Sequence, residues 1–186
     1  MKLTAFFLLL FLLGASTAKS EVIIYKTYED YQSNTGEKFD DYKSYIHVMG
    51  HVTLIFSRDG KKTSFKCKNI WGFKYNDVLF RTDKRYSQPV RVVSAGKICY
   101  YENGIAHLEM IRDNSTSGDF SIGYYAAVSA DINSGICEFT TGLFTGASNI
   151  KKFRKEHPEH EVFFECMGER YNYGKARKCI GEYEKK

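Results

Sequence analysis

Residues 89–110 read PVRVVSAGKICYYENGIAHLEM: a β-branched and aromatic run, an Asn-Gly pair, and a second apolar run. Asn-Gly supplies the positive backbone angles of a type I′ turn, so Asn103-Gly104 predicts a tight hairpin with IAHLEMI as the returning strand. Counting outward from a two-residue turn pairs Glu102 with Ile105 and Cys99 with Leu108. On that register His107 points to the opposite face from Cys99.

The flanking sequence carries the same strand-and-turn pattern. EVIIYK, from Glu21, reads as a first strand, and Thr27 stands three residues before Asp30, a capping-box spacing for a short helix or turn. Tyr45 to Phe56 reads as one strand. Asp59-Gly60 marks a hairpin, and Asn76-Asp77 a second tight turn inside NIWGFKYNDVLFR. FSIGYYAAVSA is another strand, followed by a turn before ICEFTT. Short strands at roughly ten-residue spacing point to an antiparallel sandwich or barrel.

After Gly146 the apolar period becomes helical. Ser148 can cap a helix through Ile150 and Phe153, which His157-Pro158 should end, because a residue before proline avoids the helical region. Pro158 is placed to open the next helix, and 168–172 is a break. Ala176, Cys179, Ile180 and Tyr183 then form one stripe. The expected architecture is mainly β, α+β overall: a leader at 1–18, an antiparallel β domain at 19–146, and a helical tail at 147–186 packed on the same domain.

The N-terminus has Lys2, an apolar run from Ala5 to Leu13, and Ser16 and Ala18 at the −3 and −1 positions of a cut after Ala18. This is a signal-peptide pattern, too short for a membrane span of about 20 apolar residues. It predicts an exported protein, periplasmic or extracellular, with no transmembrane segment in the mature chain. The net charge of +5 is scattered and supports no nucleic-acid binding. All five cysteines follow the leader, where disulfides persist. Cys166 and Cys179 sit on two helices that can fold back antiparallel. They are read as a structural disulfide, because a metal half-site lacks further ligands and a redox pair is normally Cys-x-x-Cys. Cys67, Cys99 and Cys137 are read as small buried hydrophobes.

Candidate chemistry is sparse. His47 and His51 are read on one strand, facing the same side but about 13 Å apart, too far to share an ion. His107 and Glu109 are read on one sheet face, a pairing that suits acid–base work, although no nucleophile motif accompanies it. His157 and His160, with Glu156, Glu159 and Glu161, are read as a solvated helix start. No metal and no cofactor is expected. Asn114-Ser115-Thr116 is a glycosylation sequon. Trp71, Phe73 and Tyr75 share a face at strand spacing, with Arg81 returning after the turn. They are either a core strand or an aromatic ligand platform with Arg81 as its anion or cation–π partner.

IYKTYEDY, NIWGFKYNDVLFR, GKICYYENGIAHLEM and the basic helical close together resemble a group of small exported proteins of unknown function from Bacteroidetes-type bacteria. The resemblance spans most of the mature chain and implies export across an inner membrane. It transfers no active site. The expected function is a non-enzymatic envelope module that binds a small ligand or an envelope protein. The alternative is a hydrolase-like enzyme using His107 and Glu109.

Overall fold

The computed structural model describes residues 21–83, 87–113, 126–138, 146–168 and 172–185. The leader, the sequon and the first part of FSIGYYAAVSA lie outside the described residues. In chain order the strands are β1 (Val22–Tyr25), β2 (Glu37–Phe39), β3 (Asp41–Val48), β4 (His51–Arg58), β5 (Lys61–Lys66), β6 (Gly72–Tyr75), β7 (Val78–Thr82), β8 (Pro89–Ala95), β9 (Cys99–Asn103), β10 (Ala126–Ser129) and β11 (Cys137–Glu138). Eight of them make one antiparallel sheet in the order β11-β10-β9-β8-β7-β6-β1-β2, and β3-β4-β5 make a second. The large sheet ends in β11 and β2, so it is an open layer, and the small sheet packs on it in a sandwich-like arrangement. No described helix is long and apolar enough to cross a membrane.

Three two-residue turns place both central residues at positive φ: Met49-Gly50 (49° and 78°), Asp59-Gly60 (51° and 75°) and Asn76-Asp77 (47° and 63°). The last two are the expected hairpins. The first divides the single strand expected over Tyr45–Phe56 into β3 and β4. It also separates the histidines. His47 pairs with Val52 and His51 with Val48, neighbouring rungs, so the two rings face opposite sides rather than one.

The Asn103-Gly104 hairpin does not form. β9 runs straight into a helix, Gly104–Arg112, and Asn103 caps it: its Oδ1 accepts from the Ala106 amide at 3.1 Å. Gly104 is needed for space, because a Cβ there would collide with the carbonyl oxygen of Pro89. Ile105 and Leu108 are buried in the core beneath the small sheet, with Ile111 packed against it, a three-residue spacing that suits a helix. The other early helix, α1 (Tyr28–Ser33), has the expected capping box. Asp30 N donates to Thr27 Oγ1 at 3.2 Å, and Thr27 N donates to Asp30 Oδ2 at 3.0 Å. The helix after β9 is therefore α2.

The tail comprises α3 (Gly146–Glu156), a 3₁₀ turn at Pro158–His160, α4 (Glu161–Met167) and α5 (Tyr173–Lys185). α3 stops before His157-Pro158, and α4 ends at Gly168, whose φ is 63°. Cys166 and Cys179 form a disulfide between α4 and α5, with Cα atoms 5.8 Å apart.

Cross-strand partners put Phe80, Arg91, Glu102 and Ala126 in one row, hence on one face of the large sheet. That face carries both principal cores. In the first, Ile24, Phe73 and Phe80 meet Leu54 and Phe56 of the small sheet and Leu108 of α2. In the second, Tyr100 and Val128 meet Phe163, Met167 and Ile180 of the tail. Glu102 lies at the seam between them. The opposite face carries the row Tyr25–Gly72–Arg81–Val90.

Candidate functional site

On that opposite face a cleft of about 750 Å³ opens beside the ends of β1 and β7. Gly72 stands between Tyr25 and Arg81 in the row and has no side chain to fill it. A Cβ there would strike the carbonyl oxygen of Phe80. Trp71 precedes β6. Its amide is shared between the carbonyls of Tyr25 (3.0 Å) and Lys26 (3.1 Å), and its own carbonyl accepts from Thr82 N at 3.0 Å. The Thr82 hydroxyl donates to the Ile70 carbonyl, so the backbone on both sides of the indole is pinned.

The indole stacks on Tyr31 with centroids 4.6 Å apart, leans on Tyr28 at 5.4 Å, and donates from Nε1 to Asn133 Oδ1 at 3.0 Å. The Arg81 guanidinium lies over this ring, its Cζ 4.7 Å from the centroid. Arg81 is 4 % exposed, and its Nε and Nη1 have no hydrogen-bond partner among the described residues. Of the nearby acids, Asp131 feels the Arg81 charge but spends its hydrogen bonds on its own loop. Asp131 accepts from the Ser134 hydroxyl and from the amides of Asn133 and Ser134, bonds that hold its carboxyl below the usual range. Asp83 Oδ2 accepts from Ile136 N at 3.1 Å. Exposed Lys26 and Lys68 stand at the rim.

Only part of the expected aromatic platform is here. Phe73 lies in the first core, stacked on Phe80 at 4.9 Å, and Tyr75 is buried there with its hydroxyl donating to Asp41 Oδ1 at 3.0 Å. Strand alternation sends both toward the small sheet. Trp71 precedes the strand and escapes that alternation, so it meets Arg81 on the other face. The remaining lining, Asn133 above all, arrives from a loop 62 residues further along the chain and has no local signal.

The expected His107–Glu109 pair is not assembled. On a helix, residues two apart point roughly 200° from each other, and here they serve different neighbours. Glu109 accepts from the Tyr42 hydroxyl at 2.9 Å and pairs with Arg112 at 2.6 Å. His107 reaches Glu102 through Nε2 and Arg91 through Nδ1, each at 3.2 Å. Arginine can only donate, so Nδ1 accepts and Nε2–H donates to the carboxylate. Both ring nitrogens are thereby engaged by side chains of the sheet. Glu102 is 0 % exposed and also receives Arg177, Nε to Oε1 at 2.7 Å and Nη2 to Oε2 at 2.5 Å. Burial alone would raise its pKa. The bonds from His107 and Arg177 outweigh this and hold the carboxyl below its usual range.

Cys67 and Cys99 are fully buried, and burial pushes the Cys67 thiol up to about 12 and raises that of Cys99, which makes neither a ready nucleophile. Cys137 is half-buried against the tail. No family model, curated protein or solved structure matches this chain.

Proposed function

We propose that the chain is an exported, non-enzymatic binding module that holds a small oxyanion, a carboxylate or a phosphate group, in the Trp71–Arg81 cleft. One observation carries this reading: a buried guanidinium in the lining of an open cleft, with two of its nitrogens lacking a partner among the described residues. A cation taken out of water without an acceptor costs several kcal/mol. A carboxylate or phosphate oxygen accepts a charge-assisted hydrogen bond from such an N–H, and the indole stacked on the guanidinium holds the group in place. Lys26 and Lys68 add attraction at the mouth. The leader supports export, and the closed hydrogen bonding of His107 supports a role without acid–base chemistry.

The sole tryptophan of the chain is Trp71, so intrinsic fluorescence reports on this site alone. Titrating acetate, citrate and inorganic phosphate into the mature protein should give a saturable change for at least one of them. Arg81→Met should weaken that binding roughly 10- to 100-fold, the loss expected for charge-assisted hydrogen bonds, while far-UV circular dichroism stays native. No saturable response to any of the three, or equal binding by a folded Arg81→Met protein, overturns the proposal.

A further inference from the structure

A second constellation lies at the turn joining α3 to α4, within the tail. Pro158 tightens the chain into a 3₁₀ turn, which brings three side chains with donor atoms together. His157 Nδ1 is 3.3 Å from Glu159 Oε1, and His160 Nε2 is 3.7 Å from the same oxygen. One ligand atom from each of the three residues lies within 4.8 Å of the others. The two rings stack 6.0 Å apart, and Phe153 supports both, at 4.5 Å from His157 and 6.3 Å from His160.

The hydrogen bonds around His160 fix which nitrogen is bare. Tyr183 Oη donates its single proton to the Glu159 carbonyl at 3.0 Å. It must therefore accept from His160 Nδ1–H, also at 3.0 Å. That leaves Nε2 with its lone pair, aimed at a carboxylate. His160 is only 5 % exposed, so its neighbours fix the ring in this orientation. Two electron pairs facing each other repel unless a cation lies between them.

We infer that His157 Nδ1, Glu159 Oε1 and His160 Nε2 form a binding site for a transition-metal dication of the Zn²⁺, Cu²⁺ or Ni²⁺ class. Two imidazoles and one carboxylate suit these ions and not Mg²⁺ or Ca²⁺, which take oxygen ligands. Tetrahedral zinc with bonds of about 2.0–2.1 Å spaces its ligands roughly 3.4 Å apart, and the two short separations here bracket that value. The Tyr183 hydroxyl supplies the outer hydrogen bond that orients a metal-binding imidazole. Glu159, with its side chain 58 % exposed, leaves the outer coordination position open to water. The disulfide holds α5, and with it Tyr183, against α4.

The test is calorimetric titration of Zn²⁺ into the mature, oxidised protein, with Co²⁺ absorption as a second readout of tetrahedral ligation. One ion per chain is expected. Glu159→Gln and His157→Gln, both at accessible positions, should each weaken binding by at least about tenfold with unchanged circular dichroism. The double variant His47→Gln/His51→Gln should bind like the parent. Absence of saturable Zn²⁺ uptake overturns the inference. So does undiminished binding in both Glu159→Gln and His157→Gln, or loss of binding confined to the His47/His51 variant.

Discussion

Replacing Cys166 by alanine separates the cross-link from everything else the tail contributes. The bond joins residues 13 apart in sequence. In the chain-entropy model, opening a loop of that size frees about 10 cal/mol/K in the unfolded chain, or about 3 kcal/mol at 25 °C. For a domain of this length each kcal/mol moves the melting temperature by about 2–4 °C, so the expected fall is roughly 6–12 °C. Cys166 is the better site because Cys179 is buried and its removal would add a cavity cost. Four calorimetric scans settle the matter: parent and Cys166→Ala, each with and without reductant. The oxidised parent should melt highest. Reductant should bring it down to near the variant, which should itself be indifferent to reductant. Parallel falls in both proteins, or no fall in the parent, would refute the reasoning.

Two other predictions concern the middle of the sheet. Asn103→Ala removes the α2 cap and should cost about 0.5–2 kcal/mol, seen as a lower urea midpoint; a neutral substitution would mean that packing alone holds the helix. The Glu102 carboxyl titrates lower in the folded protein than in the unfolded chain. Its stabilisation is therefore complete above the ordinary glutamate value of 4.5 and is lost as pH falls through the folded value. The stability gap between the parent and Glu102→Gln, from urea unfolding, should be constant at neutral pH and shrink below that range. A gap independent of pH would exclude a charged Glu102 as its source.

Turns whose outcome is decided locally were legible, and those decided by distant packing were not. Asp59-Gly60 and Asn76-Asp77 join strands that have no better partner nearby, and they fold as hairpins. Met49-Gly50 carries no such signal, because methionine seldom adopts positive φ and the apolar residues around it read as continuous. Asn103-Gly104 is ambiguous in itself, since asparagine both bends hairpins and caps helices. The residues after it resolve the ambiguity. Alternation puts Ile105, His107, Glu109 and Ile111 on one side, a mixed face, whereas three-residue spacing gives Ile105, Leu108 and Ile111, a uniformly apolar one.

The cleft was half visible. Counting back from the Asn76-Asp77 turn sets Arg81 opposite Gly72 and so beside Trp71, as found. Parity groups Phe73 and Tyr75 with Trp71, but parity holds only while the strand continues. The partners of Glu102 lay outside local reach on one side: His107 is five residues later, but Arg177 is 75 positions away.

That last separation bears on synthesis. The acid at the seam is made long before the guanidinium that neutralises it, and a ribosome delivers the two in that order. A polypeptide cut off before position 177 lacks both this cation and the second half of the cystine. Its Glu102 would keep the bond from His107 but lack the guanidinium that neutralises its charge. The surroundings of that acid, and the cystine beside them, therefore close only once synthesis has passed position 179.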